Sequence, residues 1–201
     1  MDRGASGTSE PSALHARAED NIRYIRDAME RAGSFTAVPG AGGVAMGVTA
    51  LAAWPLAERV PGPGDWLVVW LATAAVAATI GVLATIRKAA RARTPLGSGP
   101  ARKFLLALSP AMLAGALVTG ALWRAGLVGL LPGVWLLLYG AAVVSGGAFS
   151  VPAVPLLGAC LMALGAAALF SPEEWGNLYL AAGFGAAQIV FGAVIARKHG
   201  G

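Results

Sequence analysis

Charged residues are absent from long stretches of this chain, and their spacing constrains the fold more than any other feature. Four of the uncharged intervals are about 20 residues or slightly longer, the length at which an α-helix crosses the hydrocarbon of a bilayer. A further interval, from Arg124 to Glu173, is about twice as long and is interrupted by glycines and prolines, which predicts two crossings. The sequence therefore predicts an all-α membrane protein with six transmembrane helices.

The predicted crossings form three successive αα-hairpins within a membrane domain at 34–201. Each even-numbered crossing begins with two aromatic residues four positions apart, such as Trp66 and Trp70, and aromatic rings prefer the headgroup level. Each odd-numbered crossing has a proline near its inner end, as at Pro39 and Pro110, and proline is tolerated in the first turn of a helix. Both features are common in membrane proteins, so a true internal repeat stays open. The predicted crossings are 35–57, 66–86, 104–123, 127–147, 152–170 and 175–196.

Basic residues cluster on one side of this predicted domain. They lie in the loop after the second crossing and at the end of the chain: Arg87, Lys88, Arg91, Arg93, Arg102, Lys103, Arg197 and Lys198. Basic loops remain cytoplasmic during insertion, which predicts cytoplasmic N- and C-termini. The clustering explains the net charge of +5, so no nucleic-acid partner is expected. Arginine outnumbers lysine, and alanine and glycine are abundant, which we take to indicate a bacterial cytoplasmic (inner) membrane.

A disordered tail at 1–11 and a cytoplasmic amphipathic helix at 12–33 are predicted before the membrane domain. Ala18, Ile22, Ile25 and Met29 recur at helical spacing and form one apolar stripe. This segment is electrically neutral, whereas a helix that lies on lipid is more often basic. The stripe therefore predicts docking on protein, either on the loop 145–155 of the same chain, or on a second copy or a separate cytoplasmic or membrane protein.

A glycine-rich junction follows this helix. Unwound backbone near membrane depth requires cover by protein or by a water-filled cavity, which suggests a hinge or a ligand-facing turn. The alternative, a simple elbow with Ser34 as helix N-cap, is favoured because no charged or metal-binding group accompanies the glycines. The candidate hinge residues are Gly33, Ser34, Pro39, Gly40, Gly42 and Gly43.

Small and polar residues mark candidate contacts inside the membrane. Gly43 and Gly47 form one small-xxx-small step, and Ala159, Ala163 and Ala167 form others, which predicts close helix packing. Gln188 is the strongest polar group at depth. Such a side chain more often joins helices than contacts a substrate.

The segment from Asn21 to Gly47 contains the short sequences YIR, MERAGSFTAVPG and GG. Over this segment the chain resembles the start of a family of uncharacterised bacterial six-span integral membrane proteins. The resemblance implies a membrane location and the topology given above. It implies no activity, so it supplies no catalytic or binding residue.

Catalytic and metal-binding motifs are missing from the sequence. It contains no Walker loop, HExxH, CxxC or paired intramembrane carboxylates, and Cys160 is its only cysteine. Proton- and ion-coupled carriers usually need an ionisable side chain at membrane depth, and the predicted crossings hold none. We therefore expect no enzyme activity, no cofactor and no metal site.

The sequence leaves two functions open. The first is a partner-binding or regulatory membrane protein that acts through its N-terminal helix. The alternative is a small-molecule permease or a substrate-capturing transporter subunit, by analogy with the capture subunits of energy-coupling-factor vitamin importers. In that alternative, Ala41 and Ala45 would form a docking step. Its weakness is the small number of convergent polar groups that a vitamin pocket would need.

Overall fold

A computed structural model describes residues 17, 19–26, 29, 38–91, 99–148 and 150–199. The chain divides into two compact units, Met1–Gly33 and Ser34–Gly201. Across the described residues the protein is all-helical, without β-strands. The predicted tail at 1–11 lies outside the described residues, as do Ala18, Gly33, Ser34 and Arg93.

The second unit holds seven α-helical segments in its described part. Between α6 and α7 lies a π-helix, Ala181–Ala187, so that α6, the π-helix and α7 form one continuous last span. Short 3₁₀ turns, Val128–Leu130 and Glu173–Trp175, precede α4 and α6. The helices are α1 Gly40–Ala57, α2 Pro63–Arg91, α3 Gly99–Ala125, α4 Leu131–Gly147, α5 Ala153–Leu169, α6 Gly176–Leu180 and α7 Gln188–His199.

Five helical spans are long and apolar enough to cross a membrane: α1, α2, α3, α4 with its preceding 3₁₀ turn, and the last span. The remaining apolar helix, α5, has 17 residues. A helix rises about 1.5 Å per residue, so α5 is a few residues shorter than an average crossing.

Gly126 ends α3 and starts the turn into α4. Its φ of +71° lies in the left-handed region that favours glycine. The Gly126 N–H donates to Trp123 O at 3.1 Å, and the Leu127 N–H donates to Leu122 O at 3.0 Å. This pair of bonds is a Schellman motif, which satisfies the last carbonyl groups of the helix.

Two close helix pairs form the centre of the bundle, and glycines make both possible. In α4 and α5, a Cβ built on Gly140 would lie 2.7 Å from the backbone oxygen of Gly158. In α1 and the last span, a Cβ on Gly47 would lie 2.6 Å from the backbone oxygen of Gly185. Residue numbers rise along one helix as they fall along its partner, so both pairs are antiparallel.

These contact glycines recur every seven residues. They are Gly133, Gly140 and Gly147 on α4, Gly158 and Gly165 on α5, Gly40 and Gly47 on α1, and Gly185 and Gly192 on the last span. Seven residues make two turns at 3.5 residues per turn, the repeat of helices that supercoil with a left-handed twist. We call these two contact lines the glycine seams. They let the backbones approach closely where no hydrophobic force draws helices together.

The remaining helices complete an open arc. α2 packs on α1, and α3 packs on α4, whereas α2 and α3 have few contacts with each other and meet at their basic ends, where Ala89 and Ala101 form one buried cluster. The most extensive pairs, α4 with α5 and α1 with the last span, join helices that the three-hairpin prediction places in different hairpins. The glycine seams therefore dominate the packing of the bundle.

Two predictions about particular residues are wrong in this structure. Pro110 lies inside α3, because that helix already begins at Gly99, whereas Pro39 and Pro155 lie at helix starts as predicted. Ala159, Ala163 and Ala167 lie on the exposed face of α5 and take no part in the seam, which uses the glycines of the opposite face.

Candidate functional site

A cavity of about 340 Å³ occupies the inside of the arc. Its walls come from α1, α2, α3, α4 and the last span, and apolar side chains predominate. None of the described residues that line it is Asp, Glu, Lys, Arg or His. The lining residues are Met46, Ala50, Trp70, Leu71, Thr73, Ala74, Ala77, Ala78, Ala111, Met112, Gly115, Ala116, Thr119, Trp135, Leu138, Tyr139, Phe184 and Gln188.

Gln188 is the distinctive polar group of this cavity. Its side chain is 7% exposed, and its Oε1 has no hydrogen-bond partner among the described residues. The same amide hydrogen-bonds with the Tyr139 side chain. Since Oε1 is unpaired, the amide N–H is the group that donates to the tyrosine hydroxyl oxygen. A buried acceptor without a hydrogen bond destabilises a fold by about 1–3 kcal/mol, so the unpaired Oε1 needs a structural or functional explanation.

The π-helix determines where Gln188 and Phe184 lie. A π-helical turn holds more residues than an α-helical turn, so it shifts the faces that the following residues present. Gly183 packs against Leu136 of α4, whereas Gly185, two positions later, packs against Leu51 of α1. Phe184, between these two glycines, lies on the cavity side and makes an edge-to-face contact with Tyr139 at 5.4 Å between ring centroids. π-Helical turns are frequent at functional sites.

Tryptophans close one end of the cavity, and Asn177 holds them in place. The indole N–H groups of Trp66 and Trp70 both donate to Asn177 Oδ1, at 2.7 Å and 3.1 Å. The ring of Trp66 stacks on Trp135 with centroids 5.6 Å apart, and Trp135 donates to Thr119 Oγ1 at 2.8 Å. We call these five residues the aromatic cap. The cap ties α2, α3, α4 and α6 together above the cavity.

The cavity is open on the side between α2 and α3. Leu71 of α2 is 48% exposed and Met112 of α3 is 45% exposed, although both line the cavity. Trp70, the neighbour of Leu71, is only 3% exposed and closes the inner wall. In a bilayer the opening would face lipid, because both flanking helices are apolar along this length.

The aromatic residues at the outer ends of the even and odd crossings were predicted to lie at the headgroup level, and the structure separates them into two groups. Trp54, Trp123, Phe170 and Trp175 are exposed, as belt residues would be. The rings of Trp66, Trp70, Trp135 and Tyr139 instead face the cap and the cavity. Position in the sequence does not distinguish the groups, because Trp66 and Trp175 both lie near the start of a helix.

The described residues of the predicted docking stripe are exposed in the first unit. Ile22, Ile25 and Met29 are 64%, 56% and 70% exposed. Together with Arg26 they line one shallow groove. Arg23 and Asp20 lie 3.7 Å apart, and at this exposure such an ion pair contributes little stability.

The described part of the predicted hinge is regular helix. Pro39 immediately precedes α1 in an extended conformation, and Gly40, Gly42 and Gly43 lie in the first turn of α1. Gly40 and Gly43 abut Gly192 of α7, and Gly42 abuts Ala84 of α2. These glycines therefore serve close packing, and they line neither an unwound turn nor the cavity.

Most of the predicted topology anchors lie at helix ends. Arg87, Lys88 and Arg91 end α2, Arg102 and Lys103 lie in the first turns of α3, and Arg197 and Lys198 end α7. The Lys88 ammonium donates to Val38 O at 3.0 Å, which connects the end of α2 to the start of α1.

Asn177 was not predicted from the sequence, and Tyr139, which was predicted at the headgroup level, instead lines the cavity. A polar residue inside an aromatic-rich helix start, as in Trp175–Tyr179, could have indicated Asn177, because buried indole N–H groups need an acceptor. Comparisons of this chain with known protein families, with curated proteins and with solved structures found no match. The cavity and its chemistry therefore carry the functional argument.

Proposed function

We propose that this protein is a membrane-embedded small-molecule binder, either a permease or the substrate-capturing subunit of a transporter. The observation that carries the proposal is the apolar cavity with an unpaired, buried Gln188 oxygen in its wall. A volume of about 340 Å³ falls within the range of small-molecule sites, which are mostly apolar with a few placed polar groups. No enzyme activity is part of the proposal.

The proposed setting is the cytoplasmic membrane of a bacterium, with six crossings and both termini in the cytoplasm. In this arrangement α5 is the shortest crossing, and the basic ends of α2, α3 and α7 share the cytoplasmic side. The aromatic cap then lies on the opposite side. A molecule bound under the cap would be shielded from the outer aqueous phase and in contact with the lipid through the α2–α3 opening.

Filling the cavity is expected to remove bound ligand. Ala74 lines the cavity, whereas its neighbour Ala75 does not, and both belong to the same helix. Purified wild-type protein and Ala75→Phe are expected to carry a co-purified small molecule in mild detergent, and Ala74→Phe about tenfold less. Mass spectrometry of extracted small molecules measures the difference. Gly115→Leu, on α3, provides a second filling variant should Ala74→Phe unfold.

An empty wild-type preparation, or equal ligand content in Ala74→Phe and Ala75→Phe, would contradict the binding proposal. Thermal unfolding of each variant in the same detergent checks that a loss of ligand does not follow from a loss of fold.

A second candidate function, partner binding through the N-terminal helix, is favoured by the exposed groove of Ile22, Ile25 and Met29. We propose a protein as the occupant rather than lipid, because the predicted helix is neutral. In this function the protein regulates or anchors its partner.

Two acidic substitutions in the groove are expected to abolish association without affecting insertion. Ile22→Asp with Ile25→Asp places two charges in the groove, whereas Asn21→Asp with Tyr24→Asp places two on residues that do not line it. Full-length protein and the control variant should retain a partner in mild detergent, and the groove variant should lose it. Retention of every interaction by the groove variant would exclude this function.

A further inference from the structure

The cavity wall is mostly apolar and carries one buried hydrogen-bond acceptor without a partner, Gln188 Oε1. The other polar side chains in or beside it have partners. Thr73 Oγ1 donates to Val69 O, Thr119 Oγ1 accepts from Trp135 and donates to Gly115 O, Trp70 donates to Asn177, and the Tyr139 hydroxyl oxygen accepts from the Gln188 amide. Among the described lining residues, only Gln188 Oε1 is buried and unpaired. A ligand that fits this wall therefore provides a donor for Gln188 Oε1 and hydrocarbon over most of its surface, and a ligand hydroxyl can also accept from the adjacent Tyr139 O–H.

The absence of charged side chains among the described residues of the cavity wall makes the binding of an ionic ligand unfavourable. The lining contains no cationic or anionic side chain, and a bare charge would lose its hydration without any compensating partner. An uncharged molecule with one hydroxyl or N–H group has a single donor to satisfy, and Gln188 Oε1 can accept it.

The opening between α2 and α3 indicates the route of entry. Its edge residues Leu71 and Met112 are apolar and half-exposed, and one end of the site is closed by the aromatic cap. A molecule dissolved in the bilayer can reach Gln188 through this gap without passing through water.

We propose that the cavity takes an uncharged, largely apolar molecule with a single hydroxyl or N–H donor from the bilayer, and that Gln188 selects this donor. This inference rests on the proposed small-molecule binding function and specifies its substrate class. Gln188 is thus a specificity-determining residue that contacts the ligand directly.

The test uses full-length protein in lipid nanodiscs and three probes of similar shape. 1-Naphthol has a hydroxyl donor, 1-methoxynaphthalene lacks it, and 1-naphthoate carries a negative charge. Equilibrium dialysis measures saturable binding after subtraction of protein-free nanodiscs, which removes partition into lipid. We expect naphthol to bind about tenfold more tightly than the methyl ether, and naphthoate not to bind.

Gln188→Met keeps the length of the side chain and removes the acceptor. The naphthol-to-ether affinity ratio is expected to fall from about ten to about one, while the affinity for the ether stays unchanged. A purely structural role of Gln188 would weaken both probes equally and leave the ratio unaltered. The ratio in wild-type protein tests the inference even if the variant does not fold.

The possible failures are distinguishable. Saturable binding that Ala74→Phe blocks, with an ether or an anion bound as tightly as naphthol, would overturn the substrate class and leave the binding function standing. Absence of saturable binding by every probe, as when an acyl chain of the bilayer fills the gap, would overturn both.

Discussion

Gly140→Val is expected to destabilise the protein by about 3 kcal/mol or more in the free energy of unfolding. A Cβ at Gly140 would lie 2.7 Å from the backbone oxygen of Gly158 and 2.8 Å from the backbone nitrogen of Met162, so α4 and α5 would have to separate. Backbone atoms cannot move aside as a flexible side chain can. Denaturant titration in mixed micelles measures the loss.

Gly120→Val is the matched control. Gly120 lies within α3, and a Cβ built there meets nothing within 4 Å. Valine has a somewhat higher helix propensity than glycine, so this change is expected to be neutral or to stabilise by a few tenths of a kcal/mol. Equal destabilisation by the two substitutions would mean that the α4–α5 glycine seam does not govern packing.

Asn177→Leu is expected to open the aromatic cap. The substitution keeps a similar volume but removes the acceptor for two indole N–H groups, at 2.7 Å and 3.1 Å. Each partly buried donor left unpaired costs about 1–3 kcal/mol, so a loss of about 2–4 kcal/mol in the free energy of unfolding is expected. The fluorescence of Trp66 and Trp70 should change together, because both rings lose the same partner.

A mutant cycle separates this hydrogen bonding from general packing. In a Trp66→Phe and Trp70→Phe background the two donors are already absent, so Asn177→Leu should cost far less there than in the wild type. The coupling is expected to be about 2 kcal/mol. If Asn177→Leu costs the same in both backgrounds, the bonds to Asn177 do not hold the cap.

The cap has a consequence for the proposed function. It closes the cavity at the end opposite the basic helix termini, and it connects α2 and α3 at that end. Loss of the cap would therefore widen the lateral opening as well as uncover one end of the site. A ligand that enters from lipid would still reach Gln188, but it would no longer be held away from water.

Much of the architecture could be predicted from charge spacing. The helices α1, α2 and α3 and the last span overlap the predicted crossings closely, because uncharged intervals of this length have few other solutions. Helix ends were predicted less well: α2 extends to Arg91 and α3 begins at Gly99, beyond the predicted crossings. Helices can continue past the hydrocarbon wherever basic residues and water satisfy their ends.

The candidate site was less predictable than the helices. Gln188 was recognisable as the polar group at depth, but its pairing with Tyr139 and its unpaired Oε1 depend on a π-helix that no simple periodicity predicts. The aromatic neighbours of Asn177 were a local signal, but the two tryptophans that donate to it lie more than 100 positions earlier, so its role could not be derived from the local sequence.

The choice of contact faces shows the same limit. Gly47 lies in a glycine seam as predicted, whereas Ala163 repeats the same four-residue step and lies on an exposed face. The seven-residue spacing of Gly133, Gly140 and Gly147 was visible in the sequence and would have been the better guide.

Charge spacing in the sequence is enough to specify an all-helical chain with several membrane-length apolar helices, because charge cannot enter hydrocarbon without large cost. Which helices pair, where the arc stays open, and which aromatic rings turn inward are settled only by tertiary packing. The physical reason is that lipid is as apolar as a helix face, so hydrophobic periodicity cannot distinguish a lipid-facing side from a packed one. Close backbone contact at the glycine seams and hydrogen bonds to Asn177 and Gln188 make that distinction.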